Sequence, residues 1–330
     1  MVPAIIPRRP LERAATGEAG DVPAAVTCRL VRGLTTHRHG DLPAPHDVTA
    51  TLLLSCDDAI GIIATVTGFV NDHGGIIRSS ETHRDEELGK FFQRLEFEID
   101  HFDLDRETIK PLLEWEIGDH FSVRSRIAFS DQEQRVGVLA SKPAHCLHDL
   151  LSRWRLGELP GRPVCIISNH PDHTAEAEYN GLPYHHLPVT AETRSEQEEQ
   201  MIGILEEARV DLVVLARYMQ ILTPRFLECF PNRVINIHHS FLPAFPGGSP
   251  YRQAYLRGVK VVGATAHYAT VELDQGPIIE QDVTRVSHRD SVTTLVRRGR
   301  DLERVVLARA VQAHLEHRVL VVDNRAIVFG

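Results

Sequence analysis

The amino-acid sequence predicts an α/β protein with two folded domains, a small ferredoxin-like domain followed by a doubly wound domain with a mostly parallel sheet. Three observations support this prediction. The chain has 330 residues, which is long for a single hydrophobic core. Residues 47–130 carry strand-like and helix-like segments in the order βαββαβ. After residue 134, short apolar runs alternate with helical segments, as in a parallel sheet.

Composition and charge exclude several classes of function. The net charge of −9 disfavours nucleic acid or an acidic membrane as a partner, since both repel an acidic surface. The five cysteines are scattered without a CxxC pair, as is typical of reduced thiols in the cytoplasm. No run approaches the roughly 18 apolar residues of a membrane helix. We therefore expect a cytoplasmic protein.

The first 46 residues differ from the rest of the chain. They contain many prolines and arginines, no sustained periodicity and no apolar core of a secretory signal. We expect residues 1–46 to be a mobile N-terminal extension.

The small domain, residues 47–130, is predicted from its periodicity. Alternating apolar residues indicate strands, and apolar residues spaced three and four apart indicate helices. The first helix is expected to end at the glycine pair Gly74–Gly75, and a polar turn separates the two middle strands. The predicted strands are Val48–Ser55, Ile76–His83, Lys90–Ile99 and Phe121–Phe129, and the predicted helices are Asp58–Asp72 and Leu104–Trp115.

The large domain, residues 134–330, is predicted from alternating strands and helices. The expected strands are Arg135–Ala140, Pro163–Ser168, Tyr184–Val189, Leu212–Ala216 and Val234–His238, and the expected helices are His145–Trp154, Thr174–Tyr179, Ser195–Arg209 and Pro224–Cys229. The first turn after a strand, Ala140–Pro143, lacks the GxGxxG that cradles a dinucleotide. The chain also has no GxxxxGK[ST] loop and no GxSxG elbow. These absences disfavour nucleotide cofactors and serine hydrolase chemistry.

One polar constellation stands out at the end of a predicted buried strand. Asn236 and His238 are two residues apart and therefore project from the same side. Open α/β sheets bind ligands outside the carboxyl ends of such strands. Asp274 lies in a turn between two apolar runs. Together the three side chains can stabilise an oxyanion, transfer a proton and orient an imidazole. Each one alone is also explained as a satisfied polar residue.

A zinc site is the alternative for the same region. His238, His239 and His267 together with Asp274 supply ligand types that zinc accepts. The chain lacks a short His/Cys cluster with the usual ligand spacing, so we expect no metal.

Six segments of the large domain resemble formyltetrahydrofolate deformylases. The segments are Ser141–Leu151, Ile167–Asp172, Leu215–Met219, Asn236–Phe245, Gly263–Tyr268 and Leu273–Ile279. In the small domain, Cys56–Ile62 and Phe91–Arg94 resemble an ACT domain. The resemblance covers nearly the whole chain after residue 46. It implies an ACT domain followed by a Rossmann-like catalytic domain of the folate-dependent formyltransferase type.

The resemblance also implies an activity within one-carbon metabolism and purine biosynthesis. It implies hydrolysis of 10-formyltetrahydrofolate to tetrahydrofolate and formate, with water as the acceptor and without a tightly bound cofactor. Asn236, His238 and Asp274 correspond to the family's catalytic residues. The implied substrate-binding residues are Arg217, Tyr218, Met219, Gln220, Ile221, Leu222, Gly247, Gly248, Arg252, His267 and Gly276.

ACT domains commonly associate across a two-fold axis and bind amino acids. The resemblance therefore implies a homo-oligomer, with Asp58 and Gly61 at a possible amino-acid effector site. The first helix begins near these residues, and its N-terminal amides suit a carboxylate. The alternative is that this domain only dimerises the protein.

Three departures from the family pattern leave a second activity open. Gly248 stands where the family usually has Ala, and Arg252 stands where it usually has His. Gln220 likewise replaces a more usual Arg. A loop with more backbone freedom at Gly248 and a new cation at Arg252 would suit a formyltransferase with an amine-type acceptor. A catalytically inactive amino-acid sensor is the third interpretation, although such a protein has no need of all three catalytic residues.

Overall fold

The structure is a computed structural model that describes residues 48–118, 121–244 and 250–330. The chain from His46 to Gly330 forms one compact unit. The predicted extension, residues 1–46, lies outside the described residues. None of the described helices has the length and apolar character needed to cross a membrane.

The N-terminal part has the predicted βαββαβ order. Its elements are β1 (Thr49–Asp57), α1 (Ile62–Asp72), β2 (Ile76–Asp85), β3 (Lys90–Glu98), α2 (Arg106–Gly118) and β4 (Arg124–Phe129). The sheet order is β2-β3-β1-β4 with antiparallel neighbours, which is the ferredoxin-like arrangement. Helix α1 begins at Ile62, later than Asp58, because Gly61 adopts φ 95° at its N-cap.

The large sheet contains the five predicted strands and two further ones. Its strands are β5 (Arg135–Ala140), β6 (Arg162–Ser168), β7 (Tyr184–His186), β8 (Leu212–Ala216), β9 (Val234–His238), β10 (Val261–Tyr268) and β11 (Ile278–Arg285). The order is β11-β10-β9-β8-β5-β6-β7. Strands β5 to β9 are parallel, whereas β10 and β11 are antiparallel additions. The mostly parallel doubly wound fold is therefore confirmed. Strand β7 ends before Pro188, which lacks a backbone donor.

Helices cover both faces of this sheet. They are α3 (His145–Arg155), α4 (Thr174–Tyr179), α5 (Arg194–Glu207), α6 (Pro224–Cys229), α7 (Pro250–Arg257) and α8 (Val292–Leu315). One apolar core lies between the sheet and α3 and α8, and a second lies on the side of α5 and α6. Both faces are covered, which explains why the parallel strands consist of continuous apolar runs.

A C-terminal hairpin joins the two parts of the chain. Strands β12 (Val319–Val322) and β13 (Arg325–Val328) form a separate two-stranded sheet. Phe329 packs with Leu53 of β1 and Phe92 of β3 in a small apolar cluster. The guanidinium of Arg94 donates to the carbonyl oxygens of His317 at 3.2 Å and Glu316 at 3.4 Å. The end of the catalytic-type domain thus packs on the ferredoxin-like sheet.

Candidate active site

Strand β9 and the turn between β10 and β11 bring the three predicted catalytic residues together. Asn236 and His238 lie at the carboxyl end of β9. His238 Nδ1 lies 3.1 Å from Asp274 Oδ1. The side chains of His238 and Asp274 are buried, with 6% and 9% of their surfaces exposed. Pairing of β10 with β9 sets His267 opposite Asn236, so a fourth polar side chain joins the group.

The hydrogen bonds of His267 define its protonation and the orientation of Asn236. His267 Nδ1 lies 2.9 Å from the carbonyl oxygen of Tyr268, which only accepts. The Nδ1 atom therefore carries the proton, and Nε2 is an acceptor. Asn236 Nδ2 lies 3.2 Å from that Nε2 and donates to it. Burial lowers the pKa of His267 and keeps the imidazole neutral. One N–H of Asn236 is used in this way, and its second N–H can donate to a substrate oxygen.

Asp274 is held as a carboxylate. Burial favours the neutral acid, but the hydrogen bond from His238 and the neighbouring histidines outweigh burial and lower the pKa of Asp274. In the neutral imidazole of His238, the proton therefore lies on Nδ1, facing Asp274. His238 Nε2 is buried and makes no hydrogen bond among the described residues.

The turn between β10 and β11, called the catalytic turn below because it carries the predicted catalytic residue Asp274, has a constrained backbone. Asp274 adopts φ 60°, in the left-handed region that Asp tolerates better than most residues. Gly276 packs against β10 so closely that an added Cβ would lie 1.8 Å from the carbonyl oxygen of Tyr268. Gly276 was predicted to bind substrate, and the structure places it buried beneath the turn. Its contact with Tyr268 gives it a role in holding the turn against the sheet.

An open cleft lies in front of this group. It is lined by Leu215, Gln220, Ile221, Leu222, Leu227, Asn236, His267, Ala269, Thr270, Val271, Leu273 and Asp274. Its polar end is formed by Asn236, His267 and Asp274, and its apolar walls suit a flat ring with polar edges. His238 is not among the lining residues and lies behind Asp274. Of the predicted substrate-binding residues, Gln220, Ile221, Leu222 and His267 line this cleft.

The other predicted substrate-binding residues lie elsewhere. Tyr218 is 5% exposed, and its hydroxyl accepts from Gln197 Nε2 at 3.1 Å, so its side chain belongs to the core. Met219 is 54% exposed and does not line the cleft. Arg252 is an exposed residue of α7. Gly247 and Gly248 lie outside the described residues.

Arg217 belongs to a buried network that the sequence analysis missed. Its Nε lies 3.4 Å from Glu303 Oε2, and Glu303 is only 1% exposed. The same carboxylate contacts His145 Nε2 at 2.7 Å and accepts from the Tyr251 hydroxyl at 2.7 Å. These residues come from four separate elements, so no local sequence pattern links them. These contacts hold α3 and α7 against α8, next to His239.

His145, Cys146 and Glu303 are also the one group of metal-ligand side chains close enough to share an ion among the described residues. These residues do not suit a metal ion. The carboxylate oxygens of Glu303 already bond to His145 and Tyr251, and the guanidinium of Arg217 is adjacent. Burial raises the pKa of the Cys146 thiol well above its usual value, so the thiolate ligand is disfavoured.

The predicted effector residues lie where β1 meets α1. Gly61 caps α1, and the Asp58 carboxylate is paired with Arg84 of β2. The backbone N–H of Asp58 donates to the carbonyl oxygen of Gly89 at 2.9 Å. The loop from Asp58 to Gly61 is therefore joined to the turn between β2 and β3.

The chain is similar in sequence to a known family and to formyltetrahydrofolate deformylases from other organisms. Residues 134–311 match the formyl transferase family. The chain is 52% identical over 285 residues to a formyltetrahydrofolate deformylase of Synechocystis sp., covering 86% of this chain and 99% of that protein. It is 40% identical over 273 residues to the formyltetrahydrofolate deformylase of Escherichia coli, covering 83% and 95%.

Solved structures of formyltetrahydrofolate deformylases are also similar to this chain. The crystal structure of a formyltetrahydrofolate deformylase from Pseudomonas syringae has a TM-score of 0.83 and 46% identity, covering 87% of this chain and 96% of that chain. A glycinamide ribonucleotide transformylase from Symbiobacterium toebii has a TM-score of 0.59 and 35% identity, covering 61% and 97%. The deformylases are thus similar over both parts of the described chain, whereas the transformylase matches a smaller share.

Proposed function

The chain belongs to the formyltetrahydrofolate deformylase family, and from this premise we propose that Asn236, His238 and Asp274 carry out its reaction. The reaction is hydrolysis of the formyl C–N bond of 10-formyltetrahydrofolate, which yields tetrahydrofolate and formate. The observation that supports this assignment best is the cleft that presents an amide donor beside a carboxylate. An amide donor suits a developing oxyanion, and a carboxylate suits a nucleophilic water.

Asn236 is proposed to bind the formyl oxygen. Attack of water on the formyl carbon moves negative charge onto this oxygen. The N–H of Asn236 that is not used by His267 can donate to it, and the bond to His267 fixes the amide plane. Loss of one such donor typically reduces the rate by about 10²–10³.

Asp274 is proposed to move the proton. Its carboxylate takes a proton from the attacking water and delivers it to N10 as the C–N bond breaks. His238 holds the carboxylate through Nδ1 and keeps it ionised between turnovers. We assign protonation of N10 to Asp274 because its carboxylate lines the cleft, whereas the buried His238 contacts that carboxylate through Nδ1.

Isotope labelling tests the acceptor directly. Purified protein is incubated with 10-formyltetrahydrofolate in H₂¹⁸O, without any amine. Formate carrying one ¹⁸O atom, in amounts equal to tetrahydrofolate, is the expected result. Release of formate only after an amine is added would contradict hydrolysis.

Arg252 provides a second test of the acceptor. The residue is exposed on α7, and the comparisons favour the deformylases over an amine transferase or an inactive sensor. We expect Arg252→His, the usual family residue, to keep kcat and KM within about two-fold, because hydrolysis has no acceptor to anchor. A kcat/KM lowered ten-fold or more would point to an anchored acceptor.

We further propose that the N-terminal sheet binds an amino-acid effector at Asp58 and Gly61. The amides at the start of α1 suit the ligand carboxylate, and the ligand ammonium group would compete with Arg84 for the Asp58 carboxylate. Isothermal titration with each of the twenty amino acids should detect one that binds, and Asp58→Ala should abolish its heat. Absence of binding by all twenty would leave this domain with an associative role.

We also propose that a second copy of the chain covers the apolar surface of this domain. Ile63 on α1 is 46% exposed, and Ile76 and Ile77 on β2 are 46% and 37% exposed. Exposed isoleucines on an edge strand and on a helix are typical of an interface. Sedimentation velocity should show a homo-oligomer that Ile76→Lys weakens. The matched change Leu156→Lys, at an exposed position after α3, should leave it intact.

A further inference from the structure

The tip of the C-terminal hairpin contacts the catalytic turn. Asn324 lies between β12 and β13, and its Nδ2 donates to the carbonyl oxygen of Gln275 at 2.8 Å. Gln275 is the residue after Asp274. A side chain 50 residues further along the sequence thus binds the backbone next to the catalytic carboxylate.

The catalytic turn has other supports on either side of this peptide, among them the Thr270 hydroxyl, which donates to the carbonyl oxygen of Glu272 at 3.0 Å. Its base is closed by the N–H of Tyr268, which donates to the carbonyl oxygen of Pro277 at 2.9 Å. Nearer its apex, the N–H of Gln275 reaches the carbonyl oxygen of Glu272 at 3.3 Å, which is long for such a bond. Asp274 itself is left-handed. The Asn324 donor fixes the peptide plane between Gln275 and Gly276, one peptide beyond Asp274, and so limits how far the turn that carries Asp274 can move.

The tip of the hairpin also forms an ion pair with the N-terminal sheet. Arg325, next to Asn324, places Nη1 2.9 Å from Asp85 Oδ2 at the end of β2. The other oxygen of Asp85 accepts from the backbone N–H groups of Glu87 and Leu88, so this carboxylate is rigidly oriented. Its side chain is only 8% exposed. The turn between β2 and β3 thus sets the position of Arg325.

We propose that Asn324 is a positioning residue for Asp274 and that the pair of Arg325 with Asp85 fixes where Asn324 stands. The N-terminal domain then sets the geometry of the catalytic turn through two adjacent residues. This inference rests on the catalytic role proposed for Asp274. The bond from Asn324 is a single neutral hydrogen bond at the surface, so its loss should reduce kcat by about three- to ten-fold.

The test compares Asn324→Ala and the isosteric Asn324→Asp, which lacks the donor, with wild type. Both should lower kcat three- to ten-fold with little change in KM and in melting temperature. The acid limb of the kcat profile should also move to higher pH. A looser turn weakens the bond from His238 that keeps the pKa of Asp274 low, so the active carboxylate is lost at a higher pH. If the hairpin tip had only a structural role, the Asn324 variants would change the melting temperature but would leave the acid limb of the kcat profile in place.

The link to the N-terminal domain is tested by a double-mutant cycle. Arg325→Ala alone should lower kcat, but in the Asn324→Ala background it should add less than two-fold, because both changes act through the same bond. The control is Arg309→Ala, which removes another surface pair, with Asp282, and should leave kcat unchanged.

Two results overturn the inference. One is wild-type kcat and pH profile in both Asn324 variants. The other is an Arg325→Ala effect that multiplies independently with that of Asn324→Ala. The Asp274→Asn variant separates these results from failure of the proposed function. If Asp274→Asn is inactive while both Asn324 variants behave as wild type, only the positioning role is wrong. If Asp274→Asn is active, the catalytic role proposed for Asp274 is wrong, and so is the positioning role proposed for Asn324.

Discussion

At the scale of single residues, the charge of Asp274 decides what the cleft can do at neutral pH. Its lowered pKa makes it a carboxylate, and Asp274→Asn removes the proposed base while keeping the shape of the side chain. Asn tolerates the left-handed region, so folding should be unchanged. We expect kcat to fall about 10²–10⁴-fold with the melting temperature preserved, measured by formate release and thermal unfolding. Asp301→Asn, on the surface of α8, is the matched control. Turnover of Asp274→Asn within a few-fold of wild type would contradict the role.

The role proposed for Asn236 depends on its two N–H donors, and Asn236→Asp removes them without changing the size of the side chain. The new carboxylate cannot donate to His267 Nε2 or to a substrate oxygen, and it repels an oxyanion. We expect at least a 10²–10³-fold loss of kcat, measured with saturating 10-formyltetrahydrofolate. Asn232→Asp, an exposed turn residue before β9, should keep full activity. Equal losses in both variants would argue against a specific oxyanion contact.

At the scale of secondary-structure elements, Gly276 couples the catalytic turn to β10. A methyl group there would meet the carbonyl oxygen of Tyr268 at 1.8 Å, and backbone cannot move aside cheaply. Gly276→Ala should destabilise the protein by about 1–3 kcal/mol and also lower kcat, because the displaced turn carries Asp274. Urea unfolding and formate release measure the two effects. Gly203→Ala in α5, where an added Cβ meets nothing within 4 Å, should do neither. A Gly276→Ala protein with wild-type stability would show that the turn adapts.

The sequence predicted those parts of the site whose residues belong to short local patterns. The apolar run of β9 and the polar turn around Asp274 are visible in the sequence, and the same run fixes Asn236 and His238 on one side. The pairing of Asn236 with His267 depends on the register of β9 and β10, which no local pattern reveals. Glu303 lies on α8, far from Arg217 and His145 in sequence, so its network emerges only from packing. The contacts of Asn324 were missed for the same reason.

At the scale of the whole molecule, the two parts of the chain also meet through residues other than those at the hairpin tip. The Arg94 guanidinium and the cluster around Phe329 join the N-terminal sheet to the end of α8. Buried histidines lie in the same region. His314 Nδ1 contacts the Tyr268 hydroxyl at 2.7 Å, and His317 Nδ1 is buried without a hydrogen-bond partner among the described residues. The folded protein can accommodate these two imidazoles only in their neutral form. The free energy of unfolding therefore depends on pH.

The direction of this pH dependence follows from the pKa values. Burial, aided by Arg126, lowers the pKa of His314 to about 3 and that of His317 to about 4, and burial with Arg217 lowers that of His239 to about 4. In the unfolded chain these histidines titrate near 6.5. Between pH 6.5 and about 4 the unfolded state therefore binds more protons, and the free energy of unfolding falls as the pH falls.

Urea unfolding at pH 7.5, 6.0 and 5.0 should show this loss, with each neutral histidine adding a slope of about 1.4 kcal/mol per pH unit below its unfolded pKa. His317→Asn should reduce the slope by one such contribution, because Asn has no proton to bind in the unfolded state. His186→Asn, at an exposed position, is the matched control and should leave the slope unchanged. A free energy of unfolding that stays constant between pH 6.5 and 5.0 would show that these rings accept protons in the folded protein.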